Sequence, residues 1–226
     1  MRKIWMLGLC VAILLVVAIS AMADTVILNG GGASLNGYFV GPIPATLDGD
    51  QVSDGGMACL DITSHSSFGQ AFDVTINTLP LNNPDNPPRF GSDATAIRLY
   101  EEAAWLLGQI PSNSDQVANL QFAVWKIFDA NANELLDTYF PGWDEAAVAG
   151  WLTLAAAIDP NDYDFSSVRI YTPTSVYAAN QEFMSGCAVP VPAPSTILLM
   201  GSGLVGLVGL GWRRKGSRLG VSCISG

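Results

Sequence analysis

Val117-Ala-Asn-Leu-Gln-Phe-Ala-Val-Trp-Lys-Ile-Phe128 decides how this chain is to be read. Val117, Leu120, Val124, Ile127 and Phe128 recur at helical spacing, so they form one apolar stripe that must face a core. Gln121 lies on that stripe, one turn from Val117 and close to one turn from Val124. A carboxamide placed there must find partners, because an unsatisfied buried polar group costs roughly 1–3 kcal/mol. The stretch therefore predicts a core helix carrying one polar side chain that something in the fold must meet.

Helical patterning extends to either side. Ser92 or Asp93 is placed to cap a helix running to about Leu107, with Ile97, Tyr100, Ala104 and Leu107 on one face. Asp115 is placed to cap the Gln121 helix, which is expected to end near Ala130. Asp144 is placed to cap a third through Ala157, with Val148, Trp151, Leu152 and Ala155 inward. Before these helices lie strand-like segments at Thr25–Leu28, Gly37–Val40, Met57–Ile62 and Phe72–Leu79. Gly30-Gly31-Gly32, Pro42 to Pro44 and Asp48-Gly49-Asp50 punctuate them as turns, and Leu81 to Pro88 reads as a loop. After Pro160 strands return at Ser167–Tyr171, Ser175–Tyr177 and Glu182–Met184. Strands, helices, then strands predict an α+β domain, mainly antiparallel β with a helical insertion of about three helices.

The two ends of the chain have a different chemistry. Arg2 and Lys3, the apolar run Ile4 to Ile19 and Ala21-Met22-Ala23 have the order of a cleavable signal peptide over residues 1–23. At the other end a proline-rich spacer, residues 189–196, precedes the uncharged run Ile197 to Trp212. That run is short against the roughly 20 residues a spanning helix wants, yet admissible as a transmembrane segment over 197–212. The basic stop Arg213-Arg214-Lys215 assigns the tail, 213–226, to the cytoplasmic side. Residues 24–188 are then the exported domain. All twenty Asp and Glu fall between Asp24 and Glu182, against four basic residues, Arg89, Arg98, Lys126 and Arg169, which leaves −16 on the exported part. Such a surface makes nucleic acid and anionic lipid poor partners.

Val191-Pro192-Ala193-Pro194-Ser195-Thr196, the glycine- and leucine-rich run and the basic cluster together resemble the PEP-CTERM sorting signal of exopolysaccharide-producing Gram-negative bacteria. The resemblance implies an exosortase-type membrane protease as partner and an inner-membrane-anchored precursor that passes to the cell surface or extracellular matrix. Two departures stand out. Ala193 occupies the position of the usual glutamate, and eleven residues follow Lys215.

Between the signal peptide and the tail the exported domain keeps Cys59 and Cys187. An oxidising compartment permits a disulfide between them. A second reading pairs Cys59 with Gln121. Cys59-Leu60-Asp61 in a strand and Leu120-Gln-Phe-Ala-Val-Trp125 on a helix resemble the bacterial surface thioester domain, in which a cysteine thiol is joined to a glutamine side chain with loss of ammonia. The family's Thr-Gln-x-Ala motif, often followed by Ile-Trp, is matched at Gln121, Ala123 and Trp125, with Leu120 replacing threonine and Ala58 replacing the aromatic residue before the cysteine. The resemblance implies an acylating group opened by an amine or hydroxyl of a neighbouring surface. His65, the one histidine, is near enough in sequence to Cys59 to assist proton transfer, or is a surface residue without a role.

Enzyme signatures are missing. The chain has no Gly-x-Ser-x-Gly elbow, phosphate loop or zinc-type cluster. Asp129-Ala-Asn131-Ala-Asn133 begins like a calcium loop, but Glu134 and Phe140 stand where glycine and the bidentate glutamate belong. Asp159, Asn161, Asp162 and Asp164 form another acidic turn. No metal site or cofactor is expected beyond weak Ca2+ binding at such turns. The expected function is attachment, in adhesion or biofilm, by an exported surface protein that is not an enzyme. Its partner would be an amine-bearing surface or exopolysaccharide. The alternative is a non-covalent structural or carbohydrate-binding matrix protein.

Overall fold

The computed structural model describes residues 23–52, 55–81, 85–174 and 180–191. The expected transmembrane segment, the basic stop and all of the signal peptide but Ala23 lie outside them, as does the strand expected at Ser175–Tyr177. Among the described residues no helix is long and apolar enough to cross a membrane. The chain divides into a unit ending at Pro190 and one beginning at Val191, and the fold below is that of the first.

Strands β1 (Asp24–Leu28), β2 (Ser34–Leu35), β3 (Tyr38–Phe39), β4 (Ala45–Leu47), β5 (Asp50–Gln51), β6 (Ala58–Cys59) and β7 (Ala71–Thr78) precede the helices. Strands β8 (Tyr163–Asp164), β9 (Arg169–Pro173), β10 (Phe183–Ser185) and β11 (Val189–Pro190) follow them. Seven build one sheet in the order β5-β4-β1-β7-β9-β10-β6, and every pairing in it is antiparallel. In β7, buried Phe72 and Val74 alternate with exposed Ala71 and Asp73, the period of a strand with one face on a core. Asp48 and Gly49, with φ of 51° and 91°, make the two-residue turn between β4 and β5. Positive φ at both positions matches the right-handed twist of the flanking strands, which is why Asp-Gly serves there. The sheet curls until the segment before β4 meets the segment before β6, where Ile43 and Met57 exchange two backbone hydrogen bonds of 2.8 Å. Gly56, at φ 109°, permits that approach, since a Cβ there would lie 2.5 Å from the Ile43 carbonyl oxygen.

Among the described residues there are four helices, one more than expected, which share a core with the sheet: α1 (Ala94–Gln109), α2 (Val117–Phe128), α3 (Ala132–Tyr139) and α4 (Glu145–Ala156). Asp93 caps α1 through Ala96 N at 2.8 Å, and Asp144 caps α4 through Ala147 N at 2.9 Å, as the sequence predicts. Asp115 does not cap α2. It belongs to a short 3-10 turn, Ser114–Gln116, and α2 starts without a side-chain cap. Helix α3 occupies the stretch read as a failed calcium loop. Its two turns are too short to display a period, but they bury Ala132 and Leu136 and deliver Phe140 into the core. Strand β11 takes the first two residues of the expected spacer and pairs with β8, Val189 opposite Asp164 and Pro190 opposite Tyr163.

Candidate functional site

Cys59 sits on β6, opposite Phe183 of β10, and is 3% exposed. Antiparallel pairing with β10 and the Ile43–Met57 bridge hold this two-residue strand from both sides. Across from it, α2 buries Leu120, Gln121, Phe122, Ala123, Val124 and Trp125 in unbroken succession. Gln121 is 0% exposed, and its Nε2 donates to the Cys59 carbonyl oxygen at 2.7 Å. The partner the sequence required for this carboxamide is therefore the backbone of Cys59 itself. The bond spans 62 residues of sequence, and the Gln121 Oε1 has no hydrogen-bond partner.

Burial pushes the Cys59 thiol up to about 12, and nearby Asp61 adds to the rise, while the Trp125 indole and Gln181 amide pull it part of the way back. A cavity of about 210 Å³ reaches Cys59. Tyr38, Phe39, Phe68, Tyr139 and Phe140 form aromatic walls, and His65 and Gln181 contribute polar edges. Tyr38 lies 5.3 Å from Tyr139 and Phe39 lies 4.6 Å from Phe68, centroid to centroid. His65 is exposed, so it belongs to the cavity's solvent side and not to its floor.

Behind Cys59 is a buried polar cluster that the sequence reading missed. Asp61 Oδ2 accepts from Arg89 Nη1 at 2.8 Å and from Glu182 N at 3.0 Å. Glu182, 0% exposed, accepts from Tyr100 Oη at 2.6 Å, Thr172 Oγ1 at 2.6 Å and Arg89 N at 2.7 Å. Desolvation still holds the Glu182 carboxyl above the ordinary carboxylate range, against those donors. Gln181 Nε2 donates to the Asp61 carbonyl at 2.7 Å, and Leu60 N to the Glu182 carbonyl at 2.8 Å. These bonds fix the two residues after Cys59 to the segment that leads into β10. The available signal was Asp61 and Glu182, two carboxylates placed inside strand-like runs beside apolar neighbours.

The other expected residues fall elsewhere. No disulfide joins Cys59 and Cys187. Cys187 lines a separate cleft with Ala58 and Leu107, and adjacent strand residues such as Ala58 and Cys59 point to opposite faces. Asp159 turns inward on its own loop, accepting from Asn161 N at 2.9 Å, and Asp164 accepts from Ser166 N at 2.8 Å. Among the described residues no three His, Cys, Asp or Glu side chains are grouped to hold a metal ion. Of the motif Val191, Pro192, Ala193, Pro194, Ser195 and Thr196, only Val191 lies within the described residues.

Comparison with known proteins bears on both regions. The family described as the PEP-CTERM protein-sorting motif matches residues 190–215. The chain thus carries a PEP-CTERM sorting motif, which marks an exported, membrane-anchored precursor sorted to the cell surface by exosortase, a membrane protein. No curated protein matches the chain. Among solved structures, the N-terminal thioester domain of a surface protein from Clostridium perfringens is weakly similar, with a TM-score of 0.45 and 12% identity. That similarity covers 74% of this chain and 100% of the other.

Proposed function

We propose that the exported domain is a covalent attachment module whose acylating group is an internal thioester between Cys59 and Gln121. The observation that carries this reading is the Gln121 carboxamide, wholly buried and held 2.7 Å from the Cys59 backbone with its oxygen unpartnered. Attack of the Cys59 sulfur on Gln121 Cδ forms the C–S bond and breaks the C–N bond. The nitrogen leaves as ammonia with the thiol proton. An amine on a neighbouring surface or exopolysaccharide then attacks the same carbon, forming an amide while the sulfur departs and recovers a proton. Each opening consumes the thioester, so the protein acts once and is not an enzyme.

Burial supports the storage of such a bond. A thiolate whose conjugate thiol is pushed up to about 12 is a poor leaving group, so water opens the bond slowly. The aromatic cavity reaches the Cys59 end of that bond and gives an incoming nucleophile a route to the carbon beside the sulfur. Adhesion or biofilm attachment by a Gram-negative cell is the setting that joins this chemistry to the sorting motif.

Intact mass of the purified exported domain tests the reading. The expected product is lighter by one ammonia and gains the mass of methylamine on incubation with it, while Cys59→Ala and Gln121→Ala chains do neither. A full-mass wild-type protein whose Cys59 alkylates after unfolding without prior amine treatment rejects the thioester. It leaves a non-covalent structural or carbohydrate-binding matrix protein.

A further inference from the structure

Five buried side-chain polar atoms lack a hydrogen-bond partner among the described residues: Asn77 Oδ1, Arg98 Nη1, Gln121 Oε1, Trp125 Nε1 and Asp129 Oδ2. Two of the five lie one turn apart on α2, and Trp125 lines the same cavity as Cys59. Packing does not explain the indole nitrogen. Phe122 and Phe140 surround Trp125 at ring-centroid distances of 5.6 and 5.9 Å, and a phenylalanine would suit that apolar cluster without burying a bare donor. Leaving such a donor unmet costs roughly 1–3 kcal/mol.

We infer that the Trp125 indole N–H is the donor that receives the negative charge on the Cys59 sulfur when the thioester opens. The role rests on the thioester reading above. During opening the nucleophile's electron pair forms the new bond to Gln121 Cδ, and the C–S pair withdraws onto sulfur. The N–H hydrogen-bonds that thiolate without transferring its proton. The thiolate then takes the proton released by the attacking amine. A donor unsatisfied in the resting protein and satisfied as charge develops stabilises the transition state more than the ground state. The Trp125 side chain already draws the Cys59 thiol downward by hydrogen-bonding toward it, although the indole nitrogen reaches no partner in full hydrogen-bond geometry at rest. Gln181, the other side chain that pulls the thiol down, is tied to the Asp61 carbonyl at 2.7 Å. The indole N–H has no such competing acceptor.

The test compares the wild-type exported domain with Trp125→Phe and with a chain carrying benzothienylalanine at position 125, which keeps the bicycle and removes only the N–H. Intact mass reports thioester content, and the second-order rate with methylamine reports opening. Both replacements are expected to retain the ammonia loss and to react about 10- to 100-fold more slowly, the equivalent of one hydrogen bond to a charged group. In a Gln121→Ala background, the rate of Cys59 modification by methyl methanethiosulfonate at a fixed alkaline pH reads the same N–H against the thiolate with no thioester present. That rate is expected to fall with either replacement. Unchanged rates in both assays, with ammonia loss intact, overturn the role of Trp125 alone. Full mass in the wild type with a slowed thiol reaction overturns the thioester reading alone. Benzothienylalanine keeps the test decisive if Trp125→Phe does not fold.

Discussion

Gln121 and Cys59 are coupled in a way that lets two substitutions be told apart. Both Gln121→Ala and Cys59→Ala abolish any link between the side chains, but only the first strips the Cys59 carbonyl of its donor. Gln121→Ala should therefore be the less stable by roughly 1–3 kcal/mol in urea unfolding. The pH dependence follows from the thiol that Gln121→Ala leaves behind. Its folded value, about 12, exceeds the unfolded one, so the stabilisation is complete below the unfolded pKa of about 8.5 and is lost as pH rises through the folded value. Thermal midpoints of Gln121→Ala should hold level to about pH 8 and then fall, and adding Cys59→Ala should remove part of that fall. The Tyr100 hydroxyl, raised by burial beside Glu182, supplies a further part. At this scale the sequence was legible where polarity broke a pattern, as Gln121 does on its apolar stripe. It was silent on Trp125, because an indole suits an apolar face whether or not its nitrogen is used.

The elements around the site depend on one arginine. Arg89 Nη1 joins Asp61, its Nη2 donates to the Asn180 carbonyl at 2.7 Å, and its backbone N–H joins Glu182. Through these bonds the loop before α1 clamps the segment after β6 to the segment before β10. Removing one partner of a buried pair leaves the other charge uncompensated, so Arg89→Met should cost about 3 kcal/mol or more in denaturant unfolding. The 25% exposure of the Arg89 side chain places the loss at the lower end of that range. The same substitution should lower thioester content in intact mass, because the strand bearing Cys59 loses its anchor. Helices α1, α2 and α4 were readable from their period, and two of them from their caps. The β4–β5 hairpin announced its Asp-Gly turn, although its flanking strands are too short to show alternation. Pairing of β6 with β10 was not readable. It joins residues more than 120 apart, and nothing local in Ala58-Cys59 specifies a partner that distant.

Over the whole molecule, a Cys59–Gln121 bond would close a loop of 62 residues. Loop-closure entropy assigns such a cross-link about 4 kcal/mol. Methylamine treatment, which opens it, should lower the melting temperature by roughly 10 °C for a domain of this size. Scanning calorimetry before and after treatment measures the drop, and Cys59→Ala should show none. The tail permits a separate expectation. Ala193→Glu restores the residue usual in the sorting motif and should increase the processed fraction seen by immunoblot in an exosortase-bearing host. The address at the C-terminus was the most legible part of the chain, since it is written in composition and order. The meeting of Cys59 and Gln121 was only half legible, because it exists where two distant segments come together.

Closure of the sheet by Ile43 and Met57 also bears on how copies of this protein meet one another. An exported domain crosses crowded compartments, where a long bare strand edge recruits neighbours into shared sheets. Here β6 is two residues long, with the chain just before it bridged to Ile43, and the opposite edge, β5, is two residues carrying Asp50. Neither offers a ladder on which another chain can grow. At these two edges of the seven-stranded sheet, contact with a neighbouring molecule is left to side chains rather than to the backbone.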